Sequence, residues 1–146
     1  MADINILIAL FDPKHVHHDP AQRWFATAVT DGWATCPLTE NGFLRIVSNP
    51  HYGHLHLSIA EVAAGLRALI GTYPDSHQFW TDDISLCDTA MFDLTAVRGY
   101  RQLTDLYLLG LCQRHGATFV TFDGGIRDAT RALQAARPDL VRVLVP

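Results

Sequence analysis

Thr104-Asp105-Leu-Tyr-Leu-Leu-Gly-Leu-Cys112-Gln-Arg-His115-Gly116-Ala-Thr118-Phe-Val-Thr121-Phe122-Asp123 is the stretch that decides the fold class of this chain. Its first part carries apolar side chains at helical spacing and predicts a helix over about 104–115, closing on Gly116 at the left-handed cap position. Thr118–Phe122 then reads as a short strand without strict alternation, the pattern of a strand covered on both faces. That strand ends at Asp123, and Gly124-Gly125 turns the chain. A helix feeding a buried strand is the building unit of an α/β protein.

The same alternation continues on either side. A strand stub at Met1–Asn5 runs into an apolar helix near Ile6–Phe11. Asp19-Pro20 reads as N-cap and first helical residue, opening a helix with Ala21, Trp24, Phe25 and Ala28 on one face. Trp33–Cys36 predicts a short buried strand ended by Pro37, followed by a helix over about Thr39–Ser48 that Asn49-Pro50 stops. Ser58-Ile-Ala-Glu61 is a capping box opening a helix to about Ile70, with Gly71 just past its end. Phe79–Ser85 reads as a brief extended edge segment. Beyond the Gly-Gly turn come a helix near Ile126–Ala136 and a terminal strand at Val141–Val145. Short strands separated by helices predict a parallel sheet with both faces covered, in one domain spanning residues 1–146.

Composition narrows the function classes. With 49% hydrophobic and 18% charged residues over 146 positions, the chain is expected to be globular with one sizeable core. The early apolar stretch Ile4–Phe11 is far short of the roughly 20 residues of a membrane span. Asp3 stands where a signal peptide carries basic residues. Cys36, Cys87 and Cys112 are dispersed with no Cys-x-x-Cys pair, which predicts reduced thiols in a cytoplasmic protein. A net charge of −4 argues against a sequence-independent duplex-DNA binder. Nucleic acid stays open as a substrate, because acids gathered on divalent cations are locally neutralised.

Four carboxylates, Asp3, Glu40, Asp105 and Asp123, carry the functional reading. From Glu40 the residues three, four and seven on are Phe43, Leu44 and Val47; from Asp105 they are Leu108, Leu109 and Cys112. Residues so spaced share a helix face, so both acids should point toward the core side. An ionised carboxylate buried without a partner is expensive, and neither helix reliably supplies a basic one. A bound cation removes the difficulty. In open parallel sheets ligands bind beyond the carboxyl ends of strands. Asp3 and Asp123 end strands there, Glu40 follows one closely, and Asp105 opens the helix that feeds another. Each acid also has an innocent explanation: Glu40 and Asp105 favour a helix dipole, Asp123 suits a turn, and Asp3 suits a polar terminus. Their agreement on one edge shifts the balance.

An all-oxygen set suits magnesium, with manganese as substitute, rather than zinc. Asn5, read as sharing Asp3's side of the strand, and Thr104 and Thr121 could orient ligands or water from a supporting position. Asp128 is an alternative to Asp123 as outer ligand. The histidine groups His15, His17, His18 and His51, His54, His56 are expected to be exposed loop residues, and Asp82-Asp83 a solvated turn.

Taken in order, Asp3-Ile-Asn5, His15-Val-His-His18 before Trp24, Cys36-Pro-Leu-Thr-Glu40-Asn-Gly-Phe-Leu-Arg45, Ser48-Asn-Pro50, Phe79-Trp-Thr-Asp-Asp83, Gly99-Tyr-Arg-Gln-Leu-Thr-Asp105 and Thr121-Phe-Asp123 form a specific pattern. Over nearly the whole chain it resembles a PIN-domain ribonuclease, specifically the VapC-type toxins of bacterial type II toxin–antitoxin pairs. The resemblance implies a three-layer α/β/α sandwich with a central, mainly parallel sheet, commonly as a homodimer. It also implies magnesium- or manganese-dependent RNA cleavage by activated water, and inhibition by a small VapB-like antitoxin whose C-terminal segment covers the site. Asp3, Glu40, Asp105 and Asp123 would be the acidic quartet, with Asn5 and Thr104 their usual companions. Two departures stand out. Only Met1 and Ala2 precede Asp3, where relatives place several apolar residues, and Tyr100 stands where relatives often carry His.

Two other classes compete. A phospho-receiver domain also gathers acids and magnesium at strand ends, but it needs an adjacent acidic pair after the first strand and a lysine near a late strand end. Here Ile4 follows Asp3, and Lys14 is the only lysine. A PIN-like binding domain without catalysis is favoured by the short first strand and disfavoured by the intact quartet.

Overall fold

Strands that read as buried on both faces need helices above and below, and the computed structural model shows both layers. It describes residues 1–97, 99–126 and 137–145. The helices are α1 (Ile4–Phe11), α2 (His18–Asp31), α3 (Pro37–Val47), α4 (Ile59–Thr72) and α5 (Leu103–Arg114). The strands are β1 (Trp33–Thr35), β2 (His77–Phe79), β3 (Phe119–Thr121) and β4 (Val141–Val143). β1 pairs with β2 and β3 with β4, both in parallel.

Residues 1–3 join these two ladders. Ala2 N donates to Ala34 O at 3.2 Å, Asp3 N donates to Val120 O at 2.9 Å, and Val120 N donates to Met1 O at 3.0 Å. Residues 1–3 therefore take the central place in the sheet, parallel to β3. The sheet runs β2, β1, residues 1–3, β3, β4.

Side chains alternate across this sheet as strand geometry requires. Ala2, Trp33 and Val120 join one buried cluster with α1, α2, α3 and α4. Their neighbours Met1, Ala34 and Phe119 join a second, built on Leu108, Leu109 and Leu111 of α5. The two clusters lie on opposite faces, and the architecture is a three-layer α/β/α sandwich.

Several boundaries differ from the sequence reading. α1 starts at Ile4 rather than Ile6, because Asp3 caps it, so Asn5 lies in a helix and not on a strand. α2 begins at His18, ahead of Asp19-Pro20; the His18 ring sits 2.7 Å from Ala9 O, fixing the chain before the proline. α4 runs through Gly71 to Thr72, while its Ser58–Glu61 capping box forms as expected. β2 lies at His77–Phe79, with only Phe79 inside the anticipated edge segment. Gly116 takes the left-handed conformation at φ 64° after α5. The helix expected near Ile126–Ala136 lies almost entirely outside the described residues. Cys36, Cys87 and Cys112 are free thiols. Among the described residues no helix is long and apolar enough to cross a membrane.

Candidate active site

The central strand delivers Asp3 to the sheet edge, and the chain turns into α1 there. Asp3 Oδ1 accepts from Ile4 N at 2.6 Å, capping the helix. Its Oδ2 accepts from Asn5 Nδ2 at 2.7 Å and from Thr121 Oγ1 at 2.6 Å. Thr121, fully buried at the end of β3, also accepts from Asn5 Nδ2 at 2.8 Å and from Asp123 N at 3.0 Å. One donor and two acceptor positions exhaust a hydroxyl, so Thr121 is saturated. Asn5 Oδ1 in turn accepts from Phe122 N at 3.2 Å. The Asn5 amide thus stitches α1 to β3, although its approach is from a helical turn rather than from the strand face that the sequence suggested. Asp123 is exposed, and its Oδ1 accepts from Gly125 N at 2.8 Å, holding the Gly-Gly turn.

Asp105 enters from α5. Its stripe, Leu108, Leu109 and Cys112, is wholly buried as the spacing predicted. The carboxyl is half-buried and pushed up to about 6, first by burial and then by the negative charges of Asp3 and Asp123. Burial raises Asp3 as well, against the pull of its hydrogen bonds, with Asp123 adding to the rise. The three acids share one electrostatic field. Among the described residues none of them forms an ion pair with a Lys or Arg. A cleft of about 190 Å³ lies between Asp105, Asp123, Gly125 and Arg101.

Glu40 occupies the first turn of α3 on the other flank of the central strand. A Cβ added at Gly42 would collide with Ile4 Cδ1, so the second turn of α3 and the start of α1 approach as closely as a glycine allows. That contact puts Glu40 on the same sheet edge as Asp3. Its recorded partners, however, lie in β1 and β2: Thr35 Oγ1 donates to Glu40 Oε1 at 2.6 Å, and His77 Nε2 lies 2.9 Å from the same hydroxyl. Thr35 and His77 were not singled out from sequence. A threonine inside the apolar strand Trp33–Cys36 was the available signal; His77 offered none. Thr104 is exposed, and Asp128 lies outside the described residues.

The N-terminal histidines depart from expectation. His17 stacks on Phe122 at 4.5 Å, and His15, His17 and His18 are all partly buried, because this loop packs back over α1 and the end of β3. His51, His54 and His56 are exposed as expected. Asp83, read as part of a solvated turn, is exposed but pairs with Arg114 at 2.8 Å.

The donor set fits a hard cation. Asp3, Asp105 and Asp123 supply oxygen only, and the charges of Asp3 and Asp123 raise Asp105 with no ion pair to a described Lys or Arg. Among the described residues no three Asp, Glu, His or Cys side chains converge tightly enough to ligate one ion directly. Such an open cluster leaves room for a cation that keeps part of its own water shell.

The family model described as PIN domain matches residues 1–132. Among curated proteins, the chain is 42% identical over 132 residues to Ribonuclease VapC39 of Mycobacterium tuberculosis, covering 90% of this chain and 94% of that one. It is 43% identical over 129 residues to Ribonuclease VapC38 of the same organism, covering 86% of each. With Ribonuclease VapC44, also from that organism, it shares 38% over 127 residues, covering 86% and 87%.

Proposed function

The chain belongs to the PIN-domain family, and from that premise we propose that it is a metal-dependent endoribonuclease toxin held in check by a small VapB-like antitoxin. The observation that carries the reading is the Asp3, Asp105 and Asp123 cluster, with Asp105 raised to about 6 and none of the three acids in an ion pair with a described Lys or Arg. Residues 1–146 act as one unit, in the cytoplasm, as a homodimer whose acidic edge the antitoxin's C-terminal segment covers.

Asp3, Glu40, Asp105 and Asp123 would hold magnesium, or manganese in its place, with Asn5, Thr104 and Thr121 in support. A bound divalent ion supplies Lewis acidity, making water a better nucleophile and balancing charge on the phosphoryl group. The protein contributes placement. Three hydrogen bonds lock the Asp3 carboxylate before any ligand arrives, and such fixed dipoles need no reorganisation during reaction. Arg101 lines the cleft beside Asp105 and Asp123, where its guanidinium can hold a flanking RNA phosphate. Hydrolysis by water uses no RNA 2′-hydroxyl as nucleophile, so the choice of RNA rests on the ribonuclease relatives.

Purified protein freed of antitoxin should cleave a structured RNA in magnesium or manganese, stop in EDTA, and leave 5′-phosphate and 3′-hydroxyl ends. Cleavage that persists in EDTA, or that yields 2′,3′-cyclic phosphates, would overturn the mechanism.

A further inference from the structure

We propose that His77 is a positioning residue that acts through Thr35 to fix the Glu40 carboxylate for cation binding. The inference rests on the nuclease reading and adds to it a group from the edge strand that the acidic quartet does not include.

Thr35 is fully buried between apolar neighbours, where valine would fill the same volume without a hydroxyl. Its Oγ1 lies 2.6 Å from Glu40 Oε1 and 2.9 Å from His77 Nε2. An ionised carboxylate accepts only, so the single hydroxyl proton goes to Glu40. The contact with His77 must then run the other way, from Nε2–H to the threonine oxygen. This assigns the imidazole tautomer. Burial of His77 favours the neutral ring, against the opposing pull of Glu40, so the Nε2 proton is its only one.

The remaining geometry holds that ring still. His77 stands opposite Trp33 in the β1–β2 register, and the two rings meet edge-on at 4.5 Å. Thr35 is β-branched and therefore stiff at χ1. The order of command is β2 to β1 to α3: a ring seated on Trp33 aims Nε2–H, the hydroxyl it satisfies points at Glu40, and the carboxylate is held in one orientation. Without the donor, the buried Thr35 oxygen has an empty acceptor site, and the hydroxyl loses the contact that fixes its rotation toward Glu40.

The test uses His77→Phe, which keeps a ring against Trp33 but no donor, His77→Gln, which returns an N–H near the Nε2 position, Thr35→Val, and the Phe/Val double variant. Manganese affinity of the RNA-free protein is read by electron paramagnetic resonance, beside kcat and KM for RNA and the metal-free melting temperature. His77→Phe should weaken manganese binding about tenfold and lower kcat comparably, with KM little changed, as loss of an outer hydrogen-bond partner does elsewhere. His77→Gln should recover most of the loss, and the double variant should be no worse than Thr35→Val alone. In wild type, ¹⁵N shifts should show the proton on Nε2. Unchanged manganese affinity in His77→Phe, no rescue by Gln, multiplying losses in the double variant, or a proton on Nδ1 each overturns the proposal while leaving the nuclease reading intact. A wild type that neither binds manganese nor cleaves RNA overturns that reading, and this inference with it.

Discussion

Asp3 is 8% exposed and accepts hydrogen bonds from Ile4, Asn5 and Thr121, whereas Asp105, half-buried in the same electrostatic field, accepts none from any described residue. Burial raises both carboxyls, but donors pull only Asp3 back down. The difference separates two ways of keeping a charge at a protein's edge. Asp3 is part of the fold's own wiring: it caps α1, satisfies the Asn5 amide and orients the Thr121 hydroxyl. The charge on Asp105 has no such structural employment. Its repulsion by Asp3 and Asp123 opposes folding and is relieved only by a proton or a cation.

The largest expected effect breaks the Asp3 side. Asp3→Ala removes an N-cap, worth about 0.5–2 kcal/mol, and leaves the partly buried Asn5 amide and the buried Thr121 hydroxyl short of an acceptor, at about 1–3 kcal/mol. Denaturant unfolding at neutral pH should show a loss of about 3 kcal/mol together with lost cleavage. A loss below about 0.5 kcal/mol, within the range of ordinary surface substitutions, would mean that Asp3 is not the structural acid the comparison makes it.

Asp105→Asn should move stability the other way. An Asp titrates near 3.9 in an unfolded chain, but Asp105 titrates at about 6 in the fold. Between those values the folded protein keeps a proton that the unfolded chain has lost, so it is favoured at the acid end. That advantage is complete below about pH 4 and gone above about pH 6. Metal-free Asp105→Asn should therefore match wild type below about pH 4 and exceed it at pH 7, by on the order of 1–2 kcal/mol after allowing for partial exposure. It should also lose cleavage and magnesium response. An ordinary Asp at a helix start behaves oppositely, forfeiting roughly 0.3–1 kcal/mol of dipole stabilisation on replacement. Thermal melts across pH, with and without magnesium, distinguish the two. A fully active variant that melts lower would make Asp105 a structural residue.

The same pair of acids shows what could be read before folding. Asp105 betrayed itself because a charge on the Leu108, Leu109 and Cys112 stripe breaks a helical pattern, and helical patterns are local. The sheet was legible for a similar reason, since short apolar strands divided by helices leave few alternatives. Asp3's hydrogen bonds were not legible. Thr121 meets it across more than a hundred residues, and Asn5, though only two residues away, reaches it from the first turn of α1 rather than from the strand on which the sequence placed it. The Glu40 flank was harder still. His77 lies on a strand only three residues long, and its tie to Thr35 depends on the β1–β2 register. Of the two histidine groups, only His15, His17 and His18 were misjudged, because the packing of His17 on Phe122 joins segments far apart in sequence.

Asp123→Asn should have the smallest effect on stability and gives the sharpest test of the shared field. Its side chain is exposed, and among the described residues the one hydrogen bond it accepts comes from Gly125 N, which an asparagine carbonyl can still accept. The bond from its backbone N–H to Thr121 does not involve the side chain. Metal-free stability at pH 7 should stay within about 0.5 kcal/mol of wild type, while cleavage and manganese binding fall. The charge removed is nevertheless one that raises Asp105. The Asp105 titration, followed through its ¹³C carboxyl signal, should therefore move down from about 6, and the acid-side rise in metal-free stability should begin at lower pH. Burial, the largest cause, and the Asp3 charge remain, so the midpoint should stay above that of an ordinary Asp. An Asp105 midpoint unmoved by Asp123→Asn would show that Asp123 takes no part in the shared field, leaving burial and Asp3 to set it. Asp123 would then be a turn residue holding Gly125, and the contrast would reduce to a wired acid and a buried one.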